Sequence, residues 1–170
     1  MTAVPDRVRW ALDVMAPGPA DRIPEIGDGP GVAAGLVCQR LTTGRLLVID
    51  RSARAIERTR KRNAEHLDTG RLEVRTVALA ELEVPAGSLD AAFSVDVNLF
   101  WTRTPTRELA VLDSALRPGG VVHVGFGAGG PQTADRVTAP IARAFAEHGF
   151  TDVRVRSGGS GIAVSGRTPG

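Results

Sequence analysis

Short apolar runs alternate with amphipathic ones along almost the whole chain, and that alternation leaves few folds open. "RIPEI" (22–26), "RLLVID" (45–50), "LEVRTVAL" (72–79), "LDAAFSVDV" (89–97) and "VVHVGFG" (121–127) read as strands. Between them stand stretches with helical spacing: "VAAGLVCQRL" (32–41), "SARAIERTRKRNAEHL" (52–67) and "TRELAVLDSAL" (106–116), the last stopped by "RPGG". In the second of these, Ser52 is placed to cap and Glu57 to pair with Lys61. Strands that alternate with helices call for a parallel sheet covered on both faces, because each parallel crossover carries a helix across one face. The C-terminal part departs from that rule. There the helix ending "APIARAFAEHGF" closes with Gly149, and "TDVRVRS" and "GIAVSGR" flank "GGS" as a hairpin. The expected fold is α/β: a single doubly wound domain of about seven strands, helices on both faces, with an antiparallel pair at the end. A helix over "RVRWALDVM" (7–15), with Val8, Leu12 and Met15 on one stripe, is followed by the breaker "APGPADR". Residues 1–20 are therefore expected as an N-terminal helix and linker, and residues 21–170 as the main domain.

Composition narrows the function classes. The 170 residues carry 21 basic against 19 acidic side chains, and the resulting charge of +2 does not by itself signal nucleic-acid binding. The basic helix "RSARAIERTRKRN" lacks the aromatic interleaving of a single-strand platform and reads as a solvated face. No apolar run approaches the roughly 20 residues of a membrane span, and the chain start lacks the basic-then-apolar order of a secretory signal. One cysteine, Cys38, excludes an internal disulfide and a multi-cysteine metal site, and no metal-ligand spacing appears. A cytoplasmic protein without metal is expected. His66 and His148 fall near helix C-termini and read as caps; His123 reads as a packed strand residue.

The turn after the first strand carries the functional signal. In "EIGDGPG" (25–31), Gly27, Gly29 and Gly31 alternate between a strand and the next helix. Glycine there admits positive φ and close approach of ligand atoms, and the helix start directs free N–H groups at an anionic group. Asp50 ends the second strand 19 residues after Gly31, where an acid accepts hydrogen bonds from both hydroxyls of a ribose. Together these describe a nucleoside with an acidic tail. Two cofactor classes satisfy that description. "GPGVAA" (29–34) also fits the dinucleotide pattern, and Asp50 would serve a nicotinamide cofactor equally well. Glu25, two residues ahead of the first glycine, favours the other class, since it sets a carboxylate where an ammonium group is met.

With "EIGDGPG", Asp50, "GSLDAAFSVD" (87–96) and "ALRPGG" (115–120) in this order, the chain resembles the class I S-adenosylmethionine-dependent methyltransferases over Arg22 to Gly166. The resemblance implies a Rossmann-like sheet of order 3-2-1-4-5-7-6 with the seventh strand antiparallel. It implies that the backbone from Gly27 through Asp28 and Gly29 to Gly31 holds the methionine part of S-adenosylmethionine, with Glu25 facing its amino group. Asp50 would take the ribose hydroxyls, Arg51 would lie along the adenine edge, and Ala78 and Leu79 would border the adenine. Ser94 to Asn98 would flank the sulfonium.

Three positions depart from the family pattern. Pro24 stands in a central strand, where it removes a ladder hydrogen bond at a cost of about 1 kcal/mol. Asp28 adds a second carboxylate to the turn, and Ala78 replaces an aspartate common in the family, with Glu81 or the backbone of Leu79 and Ala80 as substitutes. After the fourth strand, "DVNLFW" (96–101) takes the place of the Asn-Pro-Pro-aromatic motif of many base- and amide-modifying members. Phe100 and Trp101 are candidate walls of an acceptor pocket, with packing under the next helix as the competing account. Asp96 and Asn98 are the candidate catalytic residues, placed to orient a nucleophile, although a carboxylate of pKa about 4 is a weak base. Trp10 and the first helix either close over the cofactor or cover the sheet. The resulting expectation is methyl transfer from S-adenosylmethionine to a small-molecule acceptor by in-line displacement, leaving S-adenosylhomocysteine. The acceptor side is open or is completed by the second subunit of a homodimer; neither nucleic acid nor membrane is an expected partner. A catalytically silent protein of the same fold and an NAD(P)-binding oxidoreductase are the alternatives.

Overall fold

The computed structural model describes residues 3–27, 29–127 and 134–170. The chain runs through α1 (Asp6–Met15), β1 (Arg22–Ile26), α2 (Val32–Arg40), β2 (Arg45–Asp50), α3 (Ala53–Arg62), α4 (Ala64–Asp68) and β3 (Leu72–Thr76). It continues through a 3-10 turn (Leu79–Glu81), β4 (Leu89–Val95), α5 (Leu99–Thr102), α6 (Thr106–Ala115) and β5 (Leu116–Gly127). Helix α7 (Ala134–Glu147) and the hairpin of β6 (Thr151–Gly158) and β7 (Gly161–Arg167) complete it. The seven strands form one sheet in the order β3-β2-β1-β4-β5-β7-β6. Every neighbouring pair is parallel except the two that β7 makes, with β5 and β6. This is the doubly wound Rossmann-like arrangement that the strand–helix alternation and the terminal hairpin require.

Alternation along β1 assigns its side chains to two cores. Ile23 joins Val8 and Leu12 of α1, Val37 and Cys38 of α2 and Ile56 of α3 on one face. Ile26 joins Phe100 of α5, Leu109 and Leu112 of α6, and Ile141 and Phe145 of α7 on the other. Trp10 of α1 lies over Gly158 and Gly161 at the tip of the terminal hairpin, where a side chain in place of either glycine would strike the indole. The first helix thus covers the end of the sheet with its tryptophan.

Local expectations fail where distant contacts override them. The helix expected over 52–67 breaks at Asn63, whose side-chain Nδ2 donates to Gly31 O (3.0 Å) and Thr59 O (3.2 Å). Ser52 does cap α3, its Oγ accepting from Ala55 N at 3.2 Å, and Lys61 pairs with Glu57 at 3.8 Å. Helix α7 carries Pro140 in its interior, where Val137 belongs to the buried stripe completed by Ile141, Ala144 and Phe145. That apolar contact offsets the interior proline. The "RPGG" segment ends α6 and enters β5 directly, with a shift of register between Leu89 and Ala91 on the facing strand.

Pro24 finds its place on one side of the ladder. Gly27 N donates to Ile49 O (2.9 Å), toward β2, while Arg22 N donates to Asp90 Oδ2 (2.8 Å) at the foot of β4. By strand alternation, odd positions of β1 direct their N–H groups to β2 and even positions to β4, so the proline nitrogen falls on the β4 side. There β1 and β4 share a single paired position, Glu25 with Phe93, whereas β1 and β2 pair from Arg22–Arg45 to Ile26–Ile49. The missing donor therefore shortens the ladder that is already the shorter one.

Candidate functional site

The carboxyl ends of β1 to β4 open into a cleft of about 690 Å³, at the point where the strand order reverses between β1 and β4. Its size falls within the range of ~300–1,000 Å³ common for small-molecule sites. Glu25, Gly27 and Gly29 line it from β1 and the following turn, and Asp50 and Arg51 from the end of β2. Ala78 and Leu79 line it after β3, and Asp96 and Asn98 after β4. Four segments far apart in sequence thus bring most of the expected site residues together.

The three glycines of the turn serve different ends. All have positive φ (70°, 55° and 75° at Gly27, Gly29 and Gly31). A Cβ at Gly27 would stand 2.7 Å from Val97 Cγ2, so this glycine lets the β4 loop approach β1. Around a Cβ at Gly29 none of the described residues lies within 4 Å, and its backbone borders the open cleft. Gly31 stands outside the lining. A Cβ there would meet Thr59 Oγ1 at 2.9 Å, Thr59 Cα at 3.0 Å and Asn63 Nδ2 at 3.1 Å, so α3, not a ligand, requires this glycine. Asp28, also expected at the cofactor, lies outside the described residues.

Charge is unevenly distributed in the cleft. Glu25 is 2% exposed and shares the face of β1 with Ile23, beneath α2. Burial pushes the thiol of Cys38 on α2 up to about 12; Arg71 opposes the rise and the Glu25 charge adds to it. Cys38 is thus a core thiol. Asp50 Oδ1 accepts from Ser52 N at 2.8 Å, which ties the end of β2 to the start of α3. Asp96, at φ 58°, is engaged through both oxygens: Oδ2 accepts from Arg7 Nε at 2.7 Å and Oδ1 from Gly127 N at 2.8 Å. It therefore clasps α1 to the ends of β4 and β5, a different use of the carboxylate from orienting a nucleophile. Asn98 Oδ1 accepts from Trp101 Nε1 at 3.1 Å.

Phe100, Trp101 and Ser94 stand elsewhere than expected. Phe100 is 1% exposed and meets Phe145 edge-on, with ring centroids 6.5 Å apart, inside the core beneath α7. Trp101 packs against the same core, so neither aromatic lines the cleft. The helical turn of α5 rotates them inward, away from the ends of the strands. Ser94 is buried within β4, short of the cleft. His148 Nδ1 lies 2.7 Å from Ala144 O at the end of α7, as a C-terminal cap should. Burial, helped by the charges of Arg156 and Arg167, holds the His123 imidazole down at about 4 in β5, away from the cleft.

Further residues line the cleft besides the expected site residues. Pro5, Arg7 and Val8 of the N-terminal segment close one side, and Thr102, Arg103 and Glu108 close the far end beyond β4. Arg103 Nη2 donates to Glu108 Oε1 at 3.0 Å, and the Glu108 side chain is only 10% exposed. One sequence signal marks this pair: Glu108 precedes Leu112 and Ala115 at helical spacing, an acid on an otherwise apolar stripe. Among the described residues no cluster of His, Cys, Asp and Glu is arranged to hold a metal ion, and no helix is long and apolar enough to cross a membrane.

A family model described as "Methyltransferase domain" matches residues 23–120, from β1 into β5. No curated protein matches the sequence. Among solved structures, a SAM-dependent O-methyltransferase from Thermotoga maritima is similar with a TM-score of 0.78 at 12% identity, over 100% of this chain and 67% of its own. A geranyl diphosphate C-methyltransferase from Streptomyces coelicolor A3(2), in complex with Mg2+, geranyl diphosphate and S-adenosyl-L-homocysteine, gives 0.71 at 13% identity, over 94% and 78%. The [4+2]-cyclase SpnF gives 0.74 at 17% identity, over 95% and 79%. At such identities the likeness concerns the fold, and the presence of a cyclase among these structures means that the fold by itself does not choose a reaction.

Proposed function

Since the chain belongs to the methyltransferase-domain family, we propose that it is an S-adenosylmethionine-dependent methyltransferase acting on a small-molecule acceptor. The observation that carries this reading is the convergence, in one cleft, of a buried carboxylate (Glu25), an open backbone turn (Gly29) and a strand-end acid (Asp50). Each suits one part of the cofactor. Glu25 offers negative charge to its ammonium group, and the backbone at Gly27 and Gly29 admits its carboxylate. Asp50 accepts from the ribose hydroxyls, while the segment at Ala78 and Leu79 borders the adenine and Arg51 stands at its edge.

Bound S-adenosylmethionine would supply an electrophilic sulfonium methyl, open to in-line displacement by the acceptor's nucleophile with S-adenosylhomocysteine as the leaving group. The chain's own contribution is alignment and exclusion of water, through apolar walls at Val8, Val97 and Leu99. Asp96 positions α1 against the cleft through one hydrogen bond at each oxygen. We assign it that clasp and take the acceptor's nucleophile to attack without a base from this residue. We place the protein in the cytoplasm on the strength of its single, buried cysteine.

The test is calorimetric titration of S-adenosylhomocysteine into the wild type and Asp50→Ala. Hydrogen bonds to a charged group are worth about 1.5–3 kcal/mol, so the variant should bind roughly 10- to 150-fold more weakly. Absence of binding to the wild type, or equal binding by both proteins, would overturn the assignment. Thermal protection by NAD(H) in place of S-adenosylhomocysteine would select the oxidoreductase reading. The engagement of Asp96 favours one second reading, a cofactor-binding protein without turnover. Under it S-adenosylhomocysteine binds, yet none forms from S-adenosylmethionine with any acceptor supplied.

A further inference from the structure

We propose that the acceptor is a small molecule with an oxyanion, carboxylate or phosphate, on an apolar body, and that Arg103 and Arg7 receive the oxyanion. The inference rests on the cofactor reading above, which fills the β1 and β2 side of the cleft and leaves the end beyond β4 for the acceptor. Two ion pairs line the cleft there: Arg7 with Asp96 just after β4, and Arg103 with Glu108 at the far end.

Their formal charges cancel, but their hydrogen-bonding capacity does not. Each acid has spent part of its accepting capacity: Asp96 one hydrogen bond at each oxygen, and Glu108, nearly buried, one at Oε1. The arginines keep most of their donors. Arg7 gives its Nε to Asp96 and Arg103 gives one Nη2 hydrogen bond to Glu108. Their remaining N–H groups have no protein partner among the described residues. Both side chains are about half exposed, 48% for Arg7 and 56% for Arg103. What this end of the cleft offers a ligand is therefore a surplus of donors.

A guanidinium fork matches the two oxygens of a carboxylate or phosphate in plane, whereas an amine offers it nothing and a lone hydroxyl a single acceptor. The acids have a second effect, since each holds its arginine by one nitrogen and reduces the rotamer freedom lost when an anion arrives. Asp96 is itself braced by Gly127 N, and Glu108 sits in the first turn of α6, anchored by Leu109 and Leu112 in the core. Val97 and Leu99 line the same end, which accounts for the apolar body.

The experiment titrates hexanoate, hexyl phosphate, hexanol and hexylamine into the protein saturated with S-adenosylhomocysteine. Both anions should bind at least tenfold tighter than hexanol or hexylamine, and the stronger of the two names the oxyanion. Arg103→Met should lose tenfold or more in anion affinity with hexanol unchanged, and Arg103→Lys should keep part of it. Because Arg103→Met leaves Glu108 buried without its partner, the double variant Arg103→Met, Glu108→Met is measured beside it, with folding checked by circular dichroism. Equal affinity for all four probes, no anion bound at millimolar concentration, or anion binding indifferent to both variants overturns the inference. If S-adenosylhomocysteine itself fails to bind, the cofactor reading falls separately, and the same titrations on the unliganded protein decide the arginine assignment.

Discussion

Alanine at Gly29 and alanine at Gly31 look like the same perturbation in sequence and should act on different properties. Both positions have φ near the left-handed minimum, 55° and 75°, where an L-residue costs about 1 kcal/mol. At Gly29 no further cost arises from the described residues, since none of them lies within 4 Å of the new methyl. At Gly31 the methyl would stand 3.0 Å from a backbone atom of Thr59 and 3.1 Å from Asn63 Nδ2, which adds an overpacking cost of about 1–3 kcal/mol. The expected totals are about 1 kcal/mol for Gly29→Ala and about 2–4 kcal/mol for Gly31→Ala. For a domain of this size they correspond to about 2–4 °C and roughly 4–16 °C in Tm. Cofactor affinity should follow the reverse order. Gly29 lines the cleft, and an alanine strained at its positive φ should shift that backbone and weaken S-adenosylhomocysteine tenfold or more, while Gly31→Ala should change the affinity of the folded fraction little. Urea unfolding followed by circular dichroism gives the stabilities, and calorimetry at a temperature where both variants are folded gives the affinities. If Gly29→Ala destabilises as much as Gly31→Ala, or binds cofactor like the wild type, the division of roles is wrong.

Other perturbations test other parts of the argument. Pro24→Val restores a donor on the β4 side of β1 and should raise stability by up to about 1 kcal/mol without altering S-adenosylhomocysteine affinity; lower stability would mean that the proline nitrogen has no acceptor within reach. His123 has its folded pKa depressed from 6.5 to about 4, so the unfolded chain binds the extra proton first as pH falls. Stability from this residue should be complete above pH 6.5 and decline as pH drops toward 4, and the decline should be smaller in His123→Gln when urea midpoints are compared across that window. Cys38, with its thiol raised to about 12 by burial, should resist iodoacetamide at pH 8 in the native state and react in urea; modification of the native protein at the rate of an exposed thiol would contradict its burial.

Sequence by itself determined the order of elements, the closing hairpin, and the half of the cleft proposed for the cofactor: Glu25, Gly27, Gly29 and Asp50. Those features are local. A strand's period, a cap such as Ser52 and a glycine turn act over a few residues, and in a doubly wound sheet a strand end next to the switch point is already a position in space. The half proposed for the acceptor was not legible in the same way. Arg103 and Glu108 matter because α5 and α6 fold back over the end of β4, and Arg7 because α1 returns to it across 89 positions of sequence. Phe100 and Trp101 follow β4 directly, yet the single turn of α5 sends them into the core, a rotation that spacing does not encode. Gly31 and Asn63 show the same limit, since a turn glycine and a mid-helix asparagine acquire their roles only when α2 and α3 come into contact. Tertiary packing decided these points because each depends on which two distant surfaces share a boundary, and a run of neighbouring residues does not carry that information.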